Sequence, residues 1–125
     1  MQAMFSAAVA IAMLAASGAS AEPERLTGAD IAELLTGNTA KGLWLGARYR
    51  QSFREGGVTL YAQEGSRTSR GRWRVDLEAD LYVSCWEPSG CENWEVWQDG
   101  DVYFWSASGT PRADFIVLTG EDLVD

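Results

Sequence analysis

Leu81-Tyr82-Val83-Ser84-Cys85-Trp86-Glu87-Pro88-Ser89-Gly90-Cys91-Glu92-Asn93-Trp94-Glu95-Val96-Trp97 reads as two short strands around a tight turn. Pro88-Ser89-Gly90 supplies the turn, and aromatic and β-branched residues supply both flanks. The chain's two cysteines stand on either side of that turn. A β-hairpin clamped by a Cys85–Cys91 disulfide is therefore expected. Disulfides persist in oxidising compartments, so the clamp places the protein outside the cytosol, in a periplasm or secreted.

The same grammar extends in both directions. Thr39 to Leu45, Ala47 to Phe53, Val58 to Gln63, Arg70 to Val75, Val102 to Trp105 and Ala113 to Leu118 are short strand-like runs separated by turn residues. In Ala47 to Phe53 the alternation is clean: Arg48, Arg50 and Ser52 face one way, Tyr49, Gln51 and Phe53 the other. With the hairpin, about eight strands follow one another through short connections, and no βαβ spacing occurs. The expected fold is mainly β: an antiparallel meander curled into a small barrel or a strongly twisted sheet. One short helix precedes it. Thr27 is its N-cap, Ile31, Leu34 and Leu35 form its apolar face, and Gly37 closes it. A helix of that length must dock on the sheet. Glu22 to Arg25 reads as a mobile lead-in and Gly120 to Asp125 as a fraying acidic tail.

Residues 1–21 carry no charge, are apolar from Met4 to Ala16, and end in Ala19-Ser20-Ala21, a small-x-small cleavage pattern. They are expected to form a signal peptide, leaving 22–125 as a single β-rich domain with no transmembrane segment. The leader opens with neither Lys nor Arg. Either the α-amino group serves, or the true start lies upstream.

The formal charge is −8, which disfavours nucleic acid as a partner. Residues 41–74 are nevertheless basic, and the sequence beyond them is strongly acidic. Arg48/Arg50/Arg54 and Arg70/Arg72/Arg74 form two stripes, with Arg48, Arg50, Arg72 and Arg74 the candidate anion-binding residues. If their strands are adjacent they make an anion-binding face; otherwise they pair across the sheet with Asp76, Glu78, Asp80, Glu92 or Glu95.

Leu26-Thr27-Gly28-Ala29-Asp30-Ile31 followed by Leu34-Leu35, Gly37-Asn38-Thr39 resembles the opening of a family of small secreted or periplasmic bacterial proteins of unknown function, which begin L-[ST]-G-x-[DE]-I…L-x-G-N-T. Gly71-Arg72-Trp73-Arg74-Val75, Cys85-Trp86 and Trp94-Glu95-Val96 are similar to its later pieces. The resemblance implies export and supplies no activity and no catalytic residues.

The chain has no histidine, which removes the His-based triads and His-ligated zinc or haem. Two cysteines six positions apart make neither a redox pair nor a thiolate metal site. No catalytic, cofactor or metal residues are therefore assigned. Asp76-x-Glu78-x-Asp80 lacks the glycine and helical flanks of a calcium loop and reads as a turn. Six tryptophans are the unusual chemistry left. Trp86, Glu87, Glu95, Trp97 and Tyr103 are the candidate binding residues, with indole faces beside acceptors. The expected function is a non-enzymatic domain that binds a small ligand, glycan or envelope protein through the clamped hairpin. The alternatives are an inhibitor or effector of a secreted enzyme such as a cell-wall hydrolase, and a carboxylate-only glycan hydrolase.

Overall fold

The computed structural model describes residues 22–124. The leader assigned to residues 1–21 lies outside the described residues. The elements are β1 (Glu24–Arg25), α1 (Gly28–Leu35), β2 (Thr39–Trp44), β3 (Ala47–Phe53), β4 (Val58–Gln63), β5 (Ser69–Asp76), β6 (Leu81–Trp86), β7 (Gly90–Asp99), β8 (Val102–Ser106) and β9 (Ala113–Leu118).

Strands β2 to β9 run as an antiparallel meander, and β9 returns to pair with β2. The result is a closed eight-stranded barrel with one short helix. Closure removes the free edges that an open sheet of this composition would expose. The seam is tight. A Cβ on Gly42 would sit 2.5 Å from the carbonyl oxygen of Asp114 on β9, so only glycine lets β2 approach that closely.

Alternation along each strand sends one set of side chains inward. At the end of the barrel closed by the helix, Ala40, Phe53 and Val96 are fully buried. Ile31 and Leu35 of α1 meet them there with Leu26. The local sequence holds the helix in place. The Thr27 hydroxyl accepts from the Asp30 N–H at 3.1 Å, and the Gly28 N–H donates to Asp80 Oδ1 in the β5–β6 turn at 2.6 Å. The Gly37 N–H donates to the Phe53 carbonyl at 2.7 Å, tying the helix exit to the end of β3.

The clamped hairpin is present: Cys85 and Cys91 are paired across β6 and β7 and joined by a disulfide. Native protein is expected to show no reactive thiol and reduced protein two, in a thiol titration. Reduction should cost about 2 kcal/mol of stability by the chain-entropy argument. Two reactive thiols before reduction would overturn the clamp.

Two expectations are corrected and one condition is not met. Glu22 to Arg25 is not a free lead-in, because Glu24 and Arg25 pair with Gln98 and Trp97 of β7. Arg25 also donates to the carbonyls of Ala79 and Asp80. The acidic tail does not fray. Asp122 N–H donates to Thr39 Oγ1 at 2.9 Å, which itself donates to the Gly120 carbonyl at 2.6 Å. Glu121 meets Arg54 at 2.8 Å and Asp122 meets Arg50 at 2.7 Å. The Arg54 guanidinium and the Ser52 hydroxyl hold the Glu121 carboxyl below its ordinary value. Lastly, the two arginine stripes are not on adjacent strands, since β4 separates β3 from β5. The Asp76–Asp80 segment is a turn, as expected: Asp76 Oδ1 accepts from the N–H groups of Glu78 and Ala79.

Candidate functional site

The end of the barrel opposite the helix is open. Its mouth is a hollow of about 460 Å³ reached by residues of seven strands, β2 to β8. Register explains the membership. Trp44, Tyr49, Tyr61, Trp86, Trp94 and Trp105 all occupy inward positions in the half of their strands away from the helix. Trp44 meets Trp94 edge to face, with centroids 5.7 Å apart. Tyr49 stacks on Tyr61 at 5.2 Å, and Tyr61 meets the edge of Trp86 at 6.2 Å. The Trp86 ring lies over Gly71, where a Cβ would come within 2.6 Å of it. Glycine on β5 thus creates the seat for the tryptophan on β6.

The floor is polar and fully bonded. Trp105 Nε1 donates to the Tyr49 hydroxyl at 2.9 Å. Gln51 Nε2 donates to Thr59 Oγ1 at 2.9 Å and to the Tyr82 hydroxyl at 3.0 Å. The Thr59 hydroxyl in turn donates to the Ser52 carbonyl at 2.8 Å. Burial pushes Tyr49 and Tyr61 up to about 12 and raises Tyr82 further. These phenols are therefore neutral at physiological pH and both donate and accept. The network fixes the floor, since partnered polar groups in a low-dielectric interior rigidify their surroundings.

The walls differ from the floor. The indole N–H groups of Trp44, Trp86 and Trp94 make no hydrogen bond within the described residues, whereas those of Trp73, Trp97 and Trp105 do. Gln63, Ser69, Arg70, Glu87 and Glu92 complete the rim. Flat apolar faces, unclaimed donors and side-chain acceptors thus converge on one cavity, the pattern of a small-molecule site.

A wider hollow of about 880 Å³ runs along the outer wall past Lys41, Leu43, Arg50 and Arg112. Its guanidinium groups are already used, Arg50 by Asp122 and Arg112 by Asp99 and Asp114. The mouth is the stronger site.

Of the five candidate binding residues, Trp86 and Glu87 lie at the mouth. The other three do not join them. Trp97 points outward, stacks on Phe104 at 5.9 Å, and donates to Glu95 Oε1 at 2.9 Å. Glu95 also meets Arg25 at 3.5 Å, and Arg112 covers Phe104 at 3.9 Å. That ladder braces the outer wall. Tyr103 is inward but stacks on Phe115, nearer the helix. Among the anion-binding candidates, Arg48 pairs with Glu64 at 3.0 Å and Arg50 with Asp122, while Arg72 and Arg74 stand apart on β5. The structure adds Trp44, Tyr49, Tyr61, Trp94 and Gln51 to the expected site. Their signal was parity: polar Gln51 shares a face with Tyr49 and Phe53, which marks a barrel interior that is not wholly apolar.

The chain is thus a small closed antiparallel barrel, plugged at one end and aromatic at the other. Compared with known proteins, it matches no family model, no curated protein and no solved structure. Among the described residues no helix is long and apolar enough to cross a membrane.

Proposed function

We propose that this protein is an exported, non-enzymatic binding domain that takes a sugar ring in the mouth of its barrel. The observation that carries this reading is the wall of Trp44, Trp86 and Trp94. All three line one hollow, and their indole N–H groups make no hydrogen bond within the described residues. A pyranose has an apolar face to stack on indole and hydroxyl groups that both accept and donate. The mouth supplies donors from the indoles and Arg70, and acceptors from Gln63, Glu87 and Glu92. The disulfide and the resemblance of the opening to small secreted bacterial proteins support export.

Binding to a panel of immobilised glycans tests it. Wild-type protein should capture a defined glycan and release it unchanged. Trp86→Ala should weaken capture by about tenfold or more, in line with loss of an aromatic anchor. Undiminished binding by Trp86→Ala would remove the mouth as the site. Glu87 and Glu92 both line the mouth, so release of cleaved sugar would favour the carboxylate-only hydrolase instead. The inhibitor reading rests on the exposed turn 87–90 held by the disulfide. Recovery of one stoichiometric secreted enzyme on that turn would favour it.

A further inference from the structure

The arginines fall into two groups. Arg25, Arg48, Arg50, Arg54 and Arg112 each lie within 3.5 Å of a carboxylate oxygen. Arg67, Arg70, Arg72 and Arg74 have no carboxylate at ion-pair distance among the described residues, and the last three stand together on β5. Arg72 reaches only the Gly56 carbonyl, at 3.4 Å. Acid is not scarce, because the chain carries a formal charge of −8. The register keeps it away. Leu60 stands opposite Arg70, Val58 and Cys85 opposite Arg72, and Val83 opposite Arg74.

The three guanidinium groups share the outer face of β5, because Gly71 and Trp73 between them are buried inward. Alternate residues of a strand are spaced by roughly 6.6–6.8 Å, so the charges form an evenly stepped row. Arg70 also lines the mouth. The row therefore begins at the rim of the candidate sugar site and runs down the outer wall.

We propose that Arg70, Arg72 and Arg74 are a docking rail for a linear acidic polysaccharide whose end sugar occupies the mouth. Planar guanidinium forks suit carboxylates in pairs of hydrogen bonds. Charges set a ring's breadth apart suit the stepped row better than the dense charge of polyphosphate, which the net negative protein repels more strongly. The occupancy of the mouth rests on the function proposed above; the rail rests on the distribution of ion pairs alone.

Calorimetric titration with polygalacturonate at low salt tests both, using the whole chain, with its carboxyl-reduced neutral counterpart and inorganic polyphosphate as comparison ligands. Wild type should bind polygalacturonate and lose affinity with salt. The double variant Arg72→Gln/Arg74→Gln should bind at least about tenfold more weakly, as expected on losing charge-assisted contacts, with an unchanged melting temperature. Equal binding by wild type and this variant would overturn the rail, as would binding of polyphosphate without polygalacturonate. Trp86→Ala separates the two claims. Loss in the arginine variant with Trp86→Ala unaffected keeps the rail and removes the mouth. The reverse result removes the rail and keeps the mouth.

Discussion

Phe53→Ala is expected to lower the unfolding free energy by about 3–5 kcal/mol, the range for deleting a buried aromatic ring. Phe53 is fully buried. Its ring meets Trp73 at 5.5 Å, Tyr82 at 5.7 Å and Trp105 at 6.3 Å, so its loss opens a void that three large rings cannot close. Its backbone is equally committed: the N–H donates to the Asn38 carbonyl and the carbonyl accepts from Gly37. The residue therefore joins the barrel wall to the helix plug. Small domains have only about 5–15 kcal/mol in total, so this one change should remove roughly a fifth or more. Urea unfolding measures it, with Leu43→Ala on the exposed outer wall as a control expected to shift stability by less than about 0.5 kcal/mol. A loss below about 1 kcal/mol for Phe53→Ala would mean that the plugged end is not packed as described.

Alkali should unfold the protein while Tyr49, Tyr61 and Tyr82 are still mostly protonated. Burial raises Tyr49 and Tyr61 from 10.0 to about 12, and Tyr82 is raised further by the same cause. A folded state with the higher value holds its phenolic proton more tightly than the unfolded chain. The contribution is thus complete below pH 10 and is lost as pH rises through the folded values near 12. Each fully buried phenol gives up about 1.4 kcal/mol per pH unit across that window. Two of them suffice to remove much of the stability of a small domain before pH 12 is reached. Tyr61, the least buried of the three, contributes less. Phenolate absorbance and far-ultraviolet circular dichroism should change together in one cooperative step. Smooth early titration of these phenols near their ordinary value, with the fold intact, would show that the interior of the mouth is wet throughout.

The strands were legible where turn residues bracket them. Ala47–Phe53, Val58–Gln63, Leu81–Trp86 and Ala113–Leu118 match the expected runs, because Gly46, Gly56-Gly57 and the Gly109-Thr110-Pro111 segment punctuate the alternation. β7 extends past its expected Glu92 to Trp97 because it serves three neighbours: β6 with its first half, β8 and β1 with its second. Such long-range pairing leaves no local mark. The same holds for the tail, whose partners Asn38, Thr39, Ser52, Arg50 and Arg54 are remote in sequence.

The site was half legible. Closeness along the hairpin nominated Trp97 and Glu95 together with Trp86 and Glu87, but strand parity sends Trp97 to the outer face and Trp86 to the inner one. The arginine stripes were visible as stripes. Which of them lies free depended on the strand between them and on where the tail folds back, and neither can be read from spacing.

Glu24–Arg25 on β7 and residues 120–122 beside Thr39 both lie at the plugged end. Both anchor points therefore lie on the side away from the aromatic opening. Anything joined there, whether a fluorophore, a bead or a solid support, holds the protein with its opening turned outward to the surrounding fluid. Immobilisation on that side should accordingly leave the opening accessible.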